Sequence, residues 1–189
     1  MVLRYVFLGF EVSDHAHDDS QDSLRARAGD REAFARLVTR HQKAVYGLCA
    51  RLLRHGDEAR DAAQESFVRA WERRASFDPA RDFGAWVLGI ARNAAIDRLR
   101  RSGRNEELGE IADPAPPADD ALDELRGEDA LWRALADLAP IYREVVELVY
   151  VQGRAVAEAA AILGAPQGTV MTRLFRARRL LRERLGAGA

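Results

Sequence analysis

The 189-residue chain has little that could staple, anchor or catalyse. One cysteine, Cys49, excludes a disulfide framework and any thiolate metal cluster. The longest apolar run, Met1 to Phe10, is interrupted by Arg4 and is far too short to span a bilayer. It lacks a small-residue cleavage site in the right place, so no secretory signal and no direct membrane insertion is expected, and the expected location is cytoplasmic. Lysine is almost absent: Lys43 is the single one among 29 basic residues. So complete a bias is a codon habit, and only the placement of arginine informs. No stretch alternates apolar and polar residues with period two, which excludes a β-fold. No nucleophilic triad, phosphate loop or spaced metal-ligand set occurs, so no enzyme, no metal and no cofactor is expected. His15 and His17 have no further ligands nearby and read as a solvated tail.

What is present is charge in blocks. Acids (30) and bases (29) nearly cancel over the chain, yet residues 60–101 hold nine arginines against six acids and residues 141–189 hold eight against four. Between them, Ser102 to Asp129 carries ten acids and two arginines, a net of −8. This middle also contains Asp113-Pro-Ala-Pro-Pro117, which cannot continue a helix and has too little apolar surface to pack. The expected fold is all-α: two small helical domains, at 29–101 and 128–189, joined by a flexible acidic linker at 102–127 and preceded by a disordered extension at 1–28.

Helices follow from spacing. Phe34, Leu37, Val38, Val45, Leu48, Leu52 and Leu53 recur at three- and four-residue steps. Gly56-Asp57 is expected to stop that helix, with Asp57 capping the next, whose inward stripe is Ala63, Phe67, Ala70 and Trp71. Phe77-Asp-Pro79 makes a turn, and Asp82 is placed to cap a helix over Phe83 to Arg101. In the second half a helix marked by Leu131, Leu135 and Leu138 closes at Pro140, which opens another running to about Gln152.

Residues 155–185 carry the sharpest local signal. A short alanine-rich helix, Ala155 to Leu163, meets Gly164 and a tight turn, and a longer arginine-rich helix follows from about Gln167. That is the helix-turn-helix arrangement, in which the second helix enters the major groove. Val170, Leu174, Ala177, Leu181 and Leu185 form its inner face. Thr172, Phe175, Arg176 and Arg179 lie opposite, where Phe175 fits a thymine methyl or a sugar. Arg173, Arg178 and Arg182 flank the face and suit phosphate, and the helix start, with Gly168 and Thr169, offers free N–H groups.

In the first half, Asp61, Gln64 and Glu65 form a compact acid-and-amide patch fit to dock on a basic or mixed protein surface. On helix 83–101, Asn93, Asp97 and Arg100 align, continuing a stripe with Trp86 and Ile90, and Arg98 and Arg101 flank them. The loop before it offers Arg73, Arg74 and Arg81 beside Phe77. Cations along a backbone with aromatic and amide groups for the bases is how proteins grip single strands. Taken alone, Trp86 reads as core.

These residues resemble the bacterial sigma-70 family of RNA polymerase sigma factors, in its small extracytoplasmic function group, over about 30–101 and 128–185. The stretch from Asp61 to Trp71 is similar to region 2.2, Phe83 to Arg101 to regions 2.3 and 2.4, and Leu138 to Arg143 with Gly168 to Arg178 to region 4. The resemblance implies that Asp61, Gln64, Glu65 and Phe67 meet the β′ clamp helices of core RNA polymerase. It implies that Arg73, Arg74, Phe77, Arg81, Trp86, Asn93, Asp97, Arg98, Arg100 and Arg101 open and read the −10 element of promoter DNA. Gln167, Gly168, Thr169, Met171, Thr172, Arg173, Phe175, Arg176 and Arg179 would read the −35 element, with region 4 against the β flap. An anti-sigma factor is the further expected partner, and the linker is expected to thread toward the polymerase active-site and RNA-exit channel. Two positions depart from the family pattern: Met171 stands where a basic residue is usual, and Ala155-Val-Ala-Glu-Ala159 replaces a polar-acidic helix start.

Two rival readings remain at this point. One is a self-sufficient dimeric helix-turn-helix regulator with residues 30–101 as a sensing domain. The other is an all-α enzyme using Asp61, Glu65 and Asp97 as paired carboxylates.

Overall fold

The computed structural model describes residues 15–102 and 128–186, with side chains over 19–102 and 131–185. Every regular element among them is helical. The first unit comprises α1 (His15–Arg27), α2 (Arg31–Leu53), α3 (Gly56–Glu72) and α4 (Phe83–Arg101). The second comprises α5 (Glu128–Ala136), α6 (Pro140–Val146), α7 (Val156–Leu163) and α8 (Gln167–Gly186).

Helix α1 corrects the expectation of a disordered 1–28. Its sequence is polar, so apolar spacing gives no sign of it, but its inner face is built from charge. Asp22, Ser23 and Ala26 are buried against α2. Asp22 accepts from Arg36 Nε at 3.1 Å and from Arg40 Nη2 at 2.6 Å, and Asp19 accepts from Arg40 at 2.7 Å. Gly29, at φ +99°, makes the left-handed turn into α2, and Asp30 caps that helix by accepting from the N–H of Glu32 and Ala33. Residues 1–14 lie outside the described residues, as does the acidic linker beyond Ser102.

The α2 stripe buries Leu37, Val45, Leu48 and Leu52 completely. Its stop differs from expectation: Arg54, not Gly56, takes the left-handed conformation at φ 63°, donating its N–H to Ala50. His55 then occupies the N-cap of α3, and Asp57 sits exposed in the first turn, paired with Arg60 at 3.1 Å. There its charge complements the positive end of the helix without closing it. Asp82 does cap α4, accepting from the Ala85 N–H at 2.9 Å. Phe34, Trp71, Phe77, Phe83 and Trp86 meet in one aromatic cluster, with ring centroids 4.8–6.3 Å apart.

In the second unit Pro140 opens α6, but the regular helix expected to about Gln152 stops at Val146 and widens into a π turn over Glu147–Val151. Gly153 (φ 66°) and Gly164 (φ 61°) bracket α7. Ala155 has no side-chain oxygen to cap α7; Glu158 supplies half of the usual box by accepting from the Ala155 N–H at 2.9 Å. Leu131, Leu135, Leu138, Tyr142, Val146, Ala177 and Leu181 form a small core between α5, α6 and α8. The larger core crosses between units: Val145, Leu148, Ile162 and Leu163 are buried in the same cluster as Leu48, Val87 and Ala91. No helix among the described residues is long and apolar enough to cross a membrane.

Candidate nucleic-acid interface

On α8, Gln167, Gly168, Met171 and Arg179 are exposed, and Thr169, Thr172, Arg173 and Phe175 are half-buried. Met171 is 53 % exposed, an apolar side chain standing on the outer surface of a helix rich in arginine. Val170 and Ala177 are fully buried and Leu174 nearly so, which holds α8 against α7 and α6 as a helix-turn-helix requires. Two arginines are placed differently from the expectation of an open face. Arg176 is 7 % exposed, so its stem is part of the packing. Arg173 donates to Glu144 at 3.2 Å. A helical wheel puts Arg176 opposite the apolar stripe, but the neighbouring elements wrap further round α8 than a single stripe predicts.

On the first unit Asp61 and Gln64 are exposed on α3, and Phe67 is half-buried. Glu65 is turned toward α4: Oε2 accepts from Arg98 at 2.9 Å and Oε1 from Arg69. Burial opposes ionisation of this carboxyl, but the two guanidiniums outweigh it and hold it below the usual glutamate range. Asp97 lies 4.0 Å from Arg69, so Glu65, expected to face the polymerase, shares one charged cluster with Asp97 and Arg98, expected to face the −10 element. Beside the exposed patch a groove of about 480 Å³ runs between α2 and α3, floored by Val38, Ala63 and Phe67 and rimmed by Tyr46, Lys43, Arg60 and Gln64. Tyr46 is 41 % exposed. Spacing alone missed this groove because Tyr46 and Val38 belong to the same apolar run as the core residues of α2.

Along α4 and its preceding loop, Asn93, Asp97, Arg100 and Arg101 are exposed, as are Arg73 and Arg81. Phe77 is only 3 % exposed, so it supports the loop and cannot stack on a base. Trp86 is half-buried between Phe77 and Phe83. Arg74 donates to the Trp71 carbonyl at 3.0 Å and lies 4.4 Å above its ring. Cys49 is buried, and burial pushes its thiol up to about 12. Among the described residues no three His, Cys, Asp or Glu side chains converge as metal ligands.

Spacing also missed a set of charged residues where the two units meet, of which Glu144 and Glu147 are buried and Asp82 is exposed. Arg92 on α4 donates to Glu144 at 2.8 Å, Arg51 on α2 to Glu147 at 3.0 Å, and Arg154 to Asp82 at 2.7 Å. Burial raises the Glu144 carboxyl despite Arg92 and Arg173. At Asp82 partial desolvation opposes ionisation, but the Ala85 N–H and Arg154 prevail and keep the carboxyl low. One sequence sign was available: Glu147 interrupts the otherwise apolar Val145-Val-Glu-Leu-Val149.

Comparison with known proteins agrees with this arrangement. The family model "Sigma-70 region 2" matches residues 37–105, and "Sigma-70, region 4" matches residues 128–181. The chain is 34 % identical to the ECF RNA polymerase sigma factor SigW of Bacillus subtilis (strain 168), over 85 % of this chain and 93 % of that protein. Among solved structures it is similar to CnrH in complex with the cytosolic domain of CnrY, with a TM-score of 0.70, 30 % identity, and 91 % of this chain and 99 % of that one covered. It is also similar to the sigma factor RpoE in complex with the anti-sigma factor NepR from Bartonella quintana, with a TM-score of 0.65, 26 % identity, and 82 % and 98 % covered. An arginine-lined helix-turn-helix and a capped, aromatic-braced α4 on one chain, matched by both region models, make this a member of the sigma-70 family of RNA polymerase sigma factors, in its extracytoplasmic function group.

Proposed function

We propose that this sigma factor divides its work among three surfaces. Asp61, Gln64 and the adjoining groove, with Phe67 beneath, dock on the β′ clamp helices of core polymerase, and Glu65 shapes that patch from its edge. Asn93, Asp97, Arg100 and Arg101, with Arg73, Arg74, Arg81 and the rim of Trp86, capture the opened −10 strand; Phe77 braces their loop. Gln167, Gly168, Thr169, Met171, Thr172, Phe175 and Arg179 face the −35 duplex, with Arg173 and Arg176 at the margin. Residues 29–101 and 128–189 act as the two binding domains, extended by α1, and the second also meets the β flap. The protein works in the cytoplasm, carries no catalytic chemistry of its own, and is held in check by an anti-sigma factor, by analogy with the solved neighbour bound to the anti-sigma factor NepR.

The observation that carries this reading is the exposed edge of α8, Gln167, Gly168, Met171 and Arg179, directly after the left-handed Gly164 turn. Binding energy at both elements, not covalent chemistry, drives opening; extruding a base costs a few kcal/mol and is met by several contacts together. In vitro transcription with core polymerase on a promoter library tests it. Defined start points that require this protein are expected, and none on any template overturns the reading. Tight, sequence-specific duplex binding by the purified protein alone would instead favour a self-sufficient regulator.

A further inference from the structure

The groove between α2 and α3 leaves apolar surface open to water. Val38 and Phe67 are half-buried in its floor, and Tyr46 on its rim is 41 % exposed. Val68, one helical turn beyond Gln64 on α3, is 57 % exposed. Apolar surface gathered in this way marks a place that another apolar group covers. The same chain carries an apolar segment outside the described residues: Met1–Phe10 has a single charge, Arg4, and includes Val2, Leu3, Val6, Phe7 and Leu8.

The order of the ion pairs along α1 shows where that segment joins the fold. Asp22 meets Arg36, and Asp19 meets Arg40 and His41, so α1 and α2 run antiparallel. His15, about one turn before Asp19, therefore starts α1 at the height of about residue 44 of α2, between the groove residues Lys43 and Tyr46. At about 100° per residue, Tyr46 lies about 120° round α2 from Arg40, with Lys43 midway between them. That arc is roughly 12 Å on a helix about 12 Å across. Residues 11–14, Glu-Val-Ser-Asp, span about 13 Å when extended, which delivers Phe10 to the groove. Charge agrees with the path. Glu11 and Asp14 cross α2 where Lys43, the chain's single lysine, stands, and Arg4 is opposite in sign to the exposed Asp61 on the α3 side.

We propose that Met1–Phe10 turns back over α2 and seats its apolar side chains in the α2–α3 groove of its own chain, where it competes with core polymerase. The competition rests on the proposed docking of the β′ clamp helices at this groove; the seating does not. Tethering makes a weak contact effective, because a short flexible link holds the segment at a concentration in the millimolar range. Polymerase then displaces a plug that never leaves the molecule, and the apparent affinity for polymerase falls with the fraction of open grooves.

Photo-cross-linking within the full chain, paired with titration of core polymerase, tests the proposal. With p-benzoylphenylalanine in place of Phe7, cross-links are expected to residues 38–46 or 60–67 of the same molecule, at a yield independent of protein concentration and suppressed by polymerase. A full-chain variant carrying Val6→Ser and Phe7→Ser is expected to bind polymerase about threefold or more tightly than the parent. Cross-links only to other regions, or none, overturn the seating. Cross-links between molecules that grow with concentration show that the groove takes a second copy, and overturn it as well. Cross-links in the groove with unchanged polymerase affinity in the serine variant overturn the competition. Absence of polymerase binding by every protein tested defeats the proposed function and the competition with it, while the cross-links still decide the seating.

Discussion

Glu65 on α3 and Arg98 on α4 are joined at 2.9 Å, so a residue expected to face the polymerase and one expected to face promoter DNA largely neutralise each other. The docking patch and the −10 surface are therefore not electrically independent. Glu65→Gln is expected to lower unfolding stability by about 0.5–1 kcal/mol, the range of a partly exposed pair, and to weaken polymerase docking. Asp61→Ala, at an exposed position, is expected to weaken docking with no change in stability. Thermal unfolding and a polymerase titration on both variants check this; equal stability loss would show that Asp61 has a structural role as well.

Arg176 and Arg179 separate packing from recognition on α8. Arg176→Ala is expected to cost about 1–3 kcal/mol of stability through its buried stem. Arg179→Ala is expected to leave the melting temperature unchanged. It should weaken −35 duplex binding and reduce the salt dependence of that binding by about one charge. Duplex titration at several salt concentrations, beside thermal unfolding, distinguishes the two. A destabilised Arg179→Ala would place that residue in the fold.

Asn93 is exposed on the polar half of α4, beyond the aromatic brace. Asn93→Ala is expected to impair transcription from closed duplex promoters more than from a template already opened at −10. Equal loss on both would mean that Asn93 does not help to separate the strands.

Acid sensitivity is expected to begin at the α1–α2 seam. Hydrogen bonds from Arg36, opposed by burial and reinforced by Arg40, hold the Asp22 carboxyl below the ordinary aspartate value. A lowered carboxylate contributes stability that is present above its unfolded value and is lost as pH falls through its folded one. Asp22→Asn is therefore expected to destabilise the protein near neutrality, and the gap to the parent is expected to close as pH drops below about 4. Urea unfolding across that range measures it; a gap independent of pH would mean that charge is not what Asp22 contributes.

Much of this was legible in the chain. The apolar spacing of α2, Asp82 as a cap, Pro140 as a helix start and Gly164 as a left-handed turn are local matters, and local rules read them. Family motifs from Asp61 to Trp71 and Gly168 to Arg178 then supplied the biology that helical faces do not encode. What escaped notice is non-local. Helix α1 is held by Asp19 and Asp22 meeting Arg36 and Arg40, and period analysis does not count carboxylates as core. The burial of Phe77 and Arg176 depends on neighbours contributed by other elements, as does the diversion of Glu65 toward Arg98. Arg54 in a left-handed conformation has no sequence sign, because a glycine two residues later is the more natural candidate.

The widened turn at Glu147–Val151 has a consequence for how chain length sets orientation. One residue more than a regular helix would use advances the end of that helix by about 100° about its axis, the angle one residue occupies in a 3.6-residue turn. The direction in which the chain leaves toward α7 is thus governed by counting residues as much as by their chemistry, and a one-residue deletion there would re-aim that exit while leaving every side chain of α7 and α8 in place.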